Sequence, residues 1–127
     1  MAALLTLQGC APHVVCPAIA YVYYGPVELR VPGQSPTTAD VLACFGRDCA
    51  PAPATAIGGT WGLNIGEFVK LGGSEHPAEV TAVVIARETG KELARGVLPI
   101  AYRRTDGGGR CPGPTAPEPV VIEASSK

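Results

Sequence analysis

The chain has 127 residues, a formal net charge of −1 and 17% charged residues, against about 25% in an average globular domain, and it carries neither the basic face of a nucleic-acid binder nor an acidic block. A hydrophobic content of 46% excludes a disordered chain, yet no run approaches the ~18 consecutive apolar residues of a membrane-spanning helix. Glycine (16) and proline (13) together exceed a fifth of the residues. With no repeating period, that composition predicts many turns joining short strands within one domain, long enough to bury a core.

In chain order, the opening stretch Met1 to Leu7 is largely apolar and is followed by Gln8, Gly9 and Cys10. Leu7-Gln8-Gly9-Cys10 resembles the lipobox of bacterial lipoproteins. In that family a peptidase cuts before the cysteine, whose sulfur carries a diacylglycerol. The resemblance implies that residues 1–9 are a signal-peptide remnant and that Cys10 is the lipidation site. Residues 10–15 would be anchor and tether, and the translation start would lie upstream, because a secretory signal needs a positive n-region before its apolar h-region. The competing reading is an apolar N-terminus with a buried free cysteine.

From Cys16 the text changes. Ala18 to Tyr24 is rich in β-formers and closes at Gly25-Pro26. Val27 to Val31 alternates apolar with charged residues, the period of a half-buried strand. Asp40 to Phe45 is a third strand, stopped by Gly46. Pro51 to Gly59 reads as an irregular crossing or an edge strand. Trp61 to Ile65 and Glu67 to Leu71 are expected as short strands around Gly66. Glu79 to Arg87 is the strongest strand, Thr89-Gly90 and Lys91 form a hairpin turn, and Glu92 to Arg104 returns with Pro99 bending it or marking an edge. Asp106 to Gly109 is a loop, Pro112 to Pro119 is extended, and Val120 to Glu123 is a final strand. The only stretch of helix-forming residues, Glu88 to Arg95, is interrupted by Gly90. About seven or eight strands with turns every ~8–12 residues predict an all-β fold: a single antiparallel, immunoglobulin-like β-sandwich over residues 16–124, with a polar tail at 125–127.

The five cysteines contain no C-x-x-C pair, which removes the best support for zinc-ribbon or thioredoxin-like readings. Setting Cys10 aside leaves four, a disulfide number. Cys44 and Cys49 flank Phe-Gly-Arg-Asp, a plausible turn, so a local Cys44–Cys49 bridge with a terminal Cys16–Cys111 bridge is preferred over the crossing pairings. Four cysteines nonetheless allow three connectivities, and the sequence leaves them open.

A wider resemblance rests on Cys10, Cys16-Pro17-Ala18-Ile19-Ala20-Tyr21-Val22, Val41-Leu42-Ala43-Cys44-Phe45, the lone Trp61, Thr81 to Arg87, and Gly109-Arg110-Cys111-Pro112-Gly113. Together they make the chain similar to small actinobacterial lipoproteins with an immunoglobulin-like or transthyretin-like sandwich. The resemblance covers most of the chain from Cys10. It implies surface anchoring and two disulfides, and it carries no catalytic residues.

Candidate sites are few. Cys10, His13 and Cys16 have the three-residue spacing of a soft-metal cluster, but lipid on Cys10 and a bridge at Cys16 would occupy two of the three, so no metal and no cofactor are expected. His76 reads as a surface histidine, and no G-x-S-x-G is present. Tyr21 and Tyr23, placed on one strand face with Tyr24 on the other, form a candidate aromatic platform. The bland alternative is packing plus a hydrogen bond at a sheet edge, and Trp61 is expected in the core or anchoring a loop. Arg103, Arg104 and Arg110 flank the Gly-rich loop and could meet an anion, although the loop lacks the helix and Lys-Ser/Thr of a P-loop. The expectation is a non-enzymatic protein secreted across the cytoplasmic membrane and anchored at its outer face. Its partners would be the membrane, through the lipid, and a protein or glycan ligand, with no nucleic acid. Two alternatives stand beside it: a small secreted metal or redox carrier or enzyme using Cys and His, and a structural accessory domain of an envelope complex.

Overall fold

A computed structural model describes Cys16, residues 23–106, Cys111 and residues 113–124. Ten strands and one helix follow in the order β1 (Pro26–Arg30), β2 (Ala39–Phe45), β3 (Ala52–Pro53), β4 (Thr55–Ile57), β5 (Thr60–Asn64), α1 (Ile65–Lys70), β6 (Glu79–Ala86), β7 (Glu92–Pro99), β8 (Tyr102–Arg104), β9 (Thr115–Pro117) and β10 (Val120–Val121). They form two four-stranded sheets, β10-β1-β5-β4 (sheet A) and β3-β2-β6-β7 (sheet B), with β8 and β9 paired separately. The fold is an all-β sandwich stapled by two disulfides, Cys16–Cys111 and Cys44–Cys49.

The period-2 patterns position the core. Val27 and Leu29 of β1 and Trp61 of β5 are buried from sheet A, and Val41, Ala43 and Phe45 of β2 with Val80, Ala82 and Val84 of β6 from sheet B, all in one hydrophobic cluster. Each fully buried Val or Leu stabilises the fold by about 1.5–3 kcal/mol relative to exposure. The near-continuous apolar run of β6 also buries Val83 on the other face of sheet B, where its partners across the two ladders are Leu42 and Arg95.

The segment from Pro51 to Gly59 is the expected crossing. β3 pairs with β2 in sheet B and β4 pairs with β5 in sheet A. Ala54 lies between them, and its N–H donates to the Val41 carbonyl at 2.8 Å. The β6–β7 hairpin turns at Gly90, whose φ of 74° favours glycine. Its N–H donates to Ala86 O, and Ala86 N to Lys91 O, both at 2.8 Å.

The structure corrects four expectations. Glu67 to Leu71 is not a strand, because Ile65–Lys70 forms α1. Asn64 caps that helix, its side-chain oxygen accepting from Glu67 N at 2.9 Å. At the other end Gly72 N donates to Val69 O and Gly73 N to Phe68 O, a Schellman closure. The helix buries Ile65 completely and sets Phe68 against Phe45, with ring centroids 5.0 Å apart. Glu88 to Arg95 is turn and strand, as expected, with Gly90 serving the hairpin.

The sandwich is not wholly antiparallel: β10 pairs parallel to β1, Leu29 with Val120 and Arg30 with Val121. Here the rest of the domain is the crossover that a parallel pair requires. The strand expected from Glu92 to Arg104 breaks in two after Pro99. Ile100 still donates to Ala78 O at 2.9 Å, and the chain then leaves sheet B so that β8 can pair with β9. Finally, Tyr23 and Tyr24 lie outside any strand, and residues 18–22 of that expected strand fall outside the described residues.

Candidate functional site

The outer face of sheet A carries a solvent-open groove of about 670 Å³, within the ~300–1,000 Å³ usual for small-ligand sites. Its floor follows from register. Pro26 and Glu28 on β1 stand opposite Asn64 and Gly62 on β5, and Thr60 on β5 stands opposite Ile57 on β4. Gly62 makes room for the Ile57 side chain, which a Cβ at that position would strike. The lining includes Glu28, Arg30, Ile57 and Thr60, with Pro117, Pro119 and Arg103 contributed by the β8–β9 region.

Tyr23 completes the lining. Its hydroxyl donates to the Pro26 carbonyl at 2.8 Å. The ring lies over Gly25, where a Cβ would fall 2.6 Å from the Tyr23 oxygen, so a side chain at this corner would displace the tyrosine. A hydrogen bond and a backbone seat thus hold the half-buried ring in one orientation.

The charges are unequal. Arg30 donates to Glu28 through Nε at 2.9 Å and Nη2 at 3.3 Å, and this hydrogen bond to Arg30 holds the Glu28 carboxyl below its usual range. Arg103 is exposed, lies opposite Ala116 in the β8–β9 ladder, and has no ion-pair partner among the described residues.

Of the residues expected from sequence to form a binding surface, the structure brings Tyr23 and Arg103 to one groove. Arg104, one residue on, pairs instead with Asp106, Nε to Oδ1 at 3.0 Å and Nη2 to Oδ2 at 2.9 Å. Its guanidinium occupies space beside Gly113 that a Cβ there would contest. Tyr21, Arg110 and Cys10 lie outside the described residues, as does His13. The groove's prolines and the Glu28–Arg30 pair went unread in sequence, because only the sheet register sets them side by side.

Elsewhere, Trp61 is 2% exposed and belongs to the core. His76 is exposed and meets Tyr102 edge-on at 5.4 Å. The Tyr102 hydroxyl donates to Pro77 O at 2.7 Å, and burial raises its pKa. Among the described residues no three His, Cys, Asp or Glu side chains come together in a way that could hold a metal ion.

Fold and site together define a disulfide-stapled all-β sandwich with a solvent-open groove of mixed polarity. Comparison with known proteins finds no matching family model, no matching curated protein and no matching solved structure.

Proposed function

We propose that the chain is an exported, non-enzymatic binding module, held at the outer face of the cytoplasmic membrane by lipid on Cys10. The reading extends to a sandwich of immunoglobulin-like or transthyretin-like class, in the manner of small actinobacterial lipoproteins. The observation that carries it is the disulfide pattern. Four of the five cysteines bond to one another, Cys16 to Cys111 and Cys44 to Cys49, so Cys10 is the odd one, and it ends the lipobox-like Leu7-Gln8-Gly9-Cys10. Bridges of this kind persist in oxidising compartments and are rare in the cytosol. A diacylglycerol supplies the two acyl chains that stable anchoring needs, since one chain binds membranes only marginally.

The groove over sheet A supports the binding half of the reading. It combines a fixed aromatic ring, apolar prolines and a cation with no ion-pair partner among the described residues, features suited to holding a ligand. The antibody-type bridge between sheets around a buried tryptophan is replaced by a local bridge at the end of β2 and a long one from Cys16.

The test is the intact mass of the protein made in an actinobacterial host from DNA that includes the upstream codons, alkylated without reduction. The expected product begins at Cys10, carries a diacylglycerol and shows four cysteines protected from alkylation. A product that retains Met1 and alkylates at Cys10 overturns the anchoring.

A further inference from the structure

We propose that the groove on the outer face of sheet A binds a saccharide carrying a carboxylate, a uronate-containing glycan. This rests on the binding-module reading and names its ligand class.

The first argument is what the groove lacks. Its floor strands, β1 and β5, are each paired on both sides within β10-β1-β5-β4. β10 covers β1 at Leu29 and Arg30 and β4 covers β5 from Thr60 to Gly62, so the floor leaves an extended peptide only short stretches of unpaired backbone to join. Recognition falls mainly to side chains.

The second argument is what those side chains offer. Tyr23, Pro26, Pro117 and Pro119 present apolar surfaces suited to the C–H faces of pyranose rings. Proline has almost no rotamer freedom to lose, and Tyr23 is already held by its bond to Pro26 O, so the ordering cost on binding is small. Glu28, Arg30 and Thr60 set acceptors and donors along the floor, the pattern that hydroxyl groups satisfy.

The third argument is charge. Glu28 neutralises Arg30 at 2.9 Å, whereas Arg103 on the wall has no ion-pair partner among the described residues. A single guanidinium fork matches a carboxylate bidentately. The ligand is therefore anionic, with its acid group at the Arg103 side and its sugar faces toward Tyr23 and the prolines.

The experiment is calorimetric titration of the full chain with a tetrasaccharide alternating glucuronate and N-acetylglucosamine, and with the same saccharide after reduction of its carboxylates to alcohols. The expected result is saturable binding to the acidic form and at least tenfold weaker binding to the reduced form. Arg103→Gln is expected to lose at least tenfold toward the acidic form, and Tyr23→Leu to weaken both. Arg95→Gln, an exposed arginine outside the groove, should bind like the parent, and far-UV circular dichroism checks that each variant is folded. No saturable binding, equal affinity for the two saccharides, or an unchanged Arg103→Gln overturns the proposal. A proline-rich acidic peptide that binds where the saccharide does not also overturns it, while leaving the binding module standing. Anchoring is read separately, from the mass at Cys10.

Discussion

Arg47 and Glu79 close the end of the β2–β6 ladder with a two-point ion pair, Nη2 to Oε2 at 2.7 Å and Nε to Oε1 at 3.3 Å. The turn containing Arg47 is also the one bridged by Cys44 and Cys49. Gly46 N donates to Glu79 O at 2.8 Å, and the Thr81 hydroxyl donates to Gly46 O at 2.6 Å. The short bridge thus reinforces a turn already pinned to β6 at three points.

The two bridges are therefore expected to contribute unequally. In the chain-entropy model a closure spanning 95 residues, Cys16 to Cys111, is worth about 4.7 kcal/mol, and one spanning 5, Cys44 to Cys49, about 2.1 kcal/mol. Cys44→Ser with Cys49→Ser should leave a folded, cooperatively unfolding domain, less stable by about 2 kcal/mol. Cys16→Ser with Cys111→Ser should lose roughly twice that. Urea titrations followed by tryptophan fluorescence compare the two, Trp61 being buried. A larger loss from the short bridge would contradict this ordering.

Leucine positions provide a burial contrast. Leu29 is 0% exposed between Trp61 and Val120 in the ladders, while Leu71 just beyond α1 is 87% exposed. Leu29→Ala should cost about 2–5 kcal/mol by leaving a cavity in the core. Leu71→Ala should change stability by no more than about 0.5 kcal/mol. Thermal and urea unfolding of the two variants, side by side, check both values.

Acid should weaken the domain through its carboxylates. Glu79 and Glu28 are both held below the ordinary glutamate value of 4.5, chiefly by hydrogen bonds from Arg47 and Arg30. A carboxyl whose folded pKa is depressed binds fewer protons in the folded state than in the unfolded. Its contribution is complete above 4.5 and disappears as pH falls through the lower folded value. Both groups are partly exposed, so the effect is modest. Urea midpoints taken from pH 6 downward should fall below about pH 4.5, and Glu79→Gln should remove part of that slope.

Pro99 protects an edge. β7 is the longest strand at the margin of either sheet. Ile100 donates inward to Ala78 O, so the alternation of an antiparallel ladder directs the position of Pro99 N outward, where proline offers no donor. Pro99→Thr restores that N–H. It should raise concentration-dependent self-association in sedimentation velocity while leaving the unfolding midpoint of dilute protein nearly unchanged.

Much of the sandwich was legible because its strands alternate or are bounded by Gly and Pro. Val27 to Val31, Asp40 to Phe45 and Glu79 to Arg87 each carry a pattern that one buried face imposes. The helix carries its own local signals. Asn64 with Glu67 three residues later is a capping pair, and Gly72-Gly73 is the matching stop. Phe68, Val69 and Leu71 looked like a strand because a six-residue helix is too short to display its period. The parallel β1–β10 pairing was not legible, since register between distant segments leaves no local trace. The groove was half legible. Tyr23 and Arg103 stood out as residue types, but their meeting depends on β8 leaving sheet B after Pro99, and the polar floor depends on Gly62 lying opposite Glu28.

The pairing of the first described strand with the last has a kinetic consequence. Sheet B can begin from the local β6–β7 hairpin, with β2 joining across the intervening β3, β4, β5 and α1. Sheet A cannot be completed that way, because β1 has β5 on one side and nothing on the other until Val120 and Val121 arrive. Until then Val27 and Leu29 lack part of their cover. Non-local pairing of this kind belongs to domains that fold in milliseconds to seconds rather than microseconds. The Cys16–Cys111 bridge likewise joins the beginning of the domain to its end, 95 residues apart in sequence.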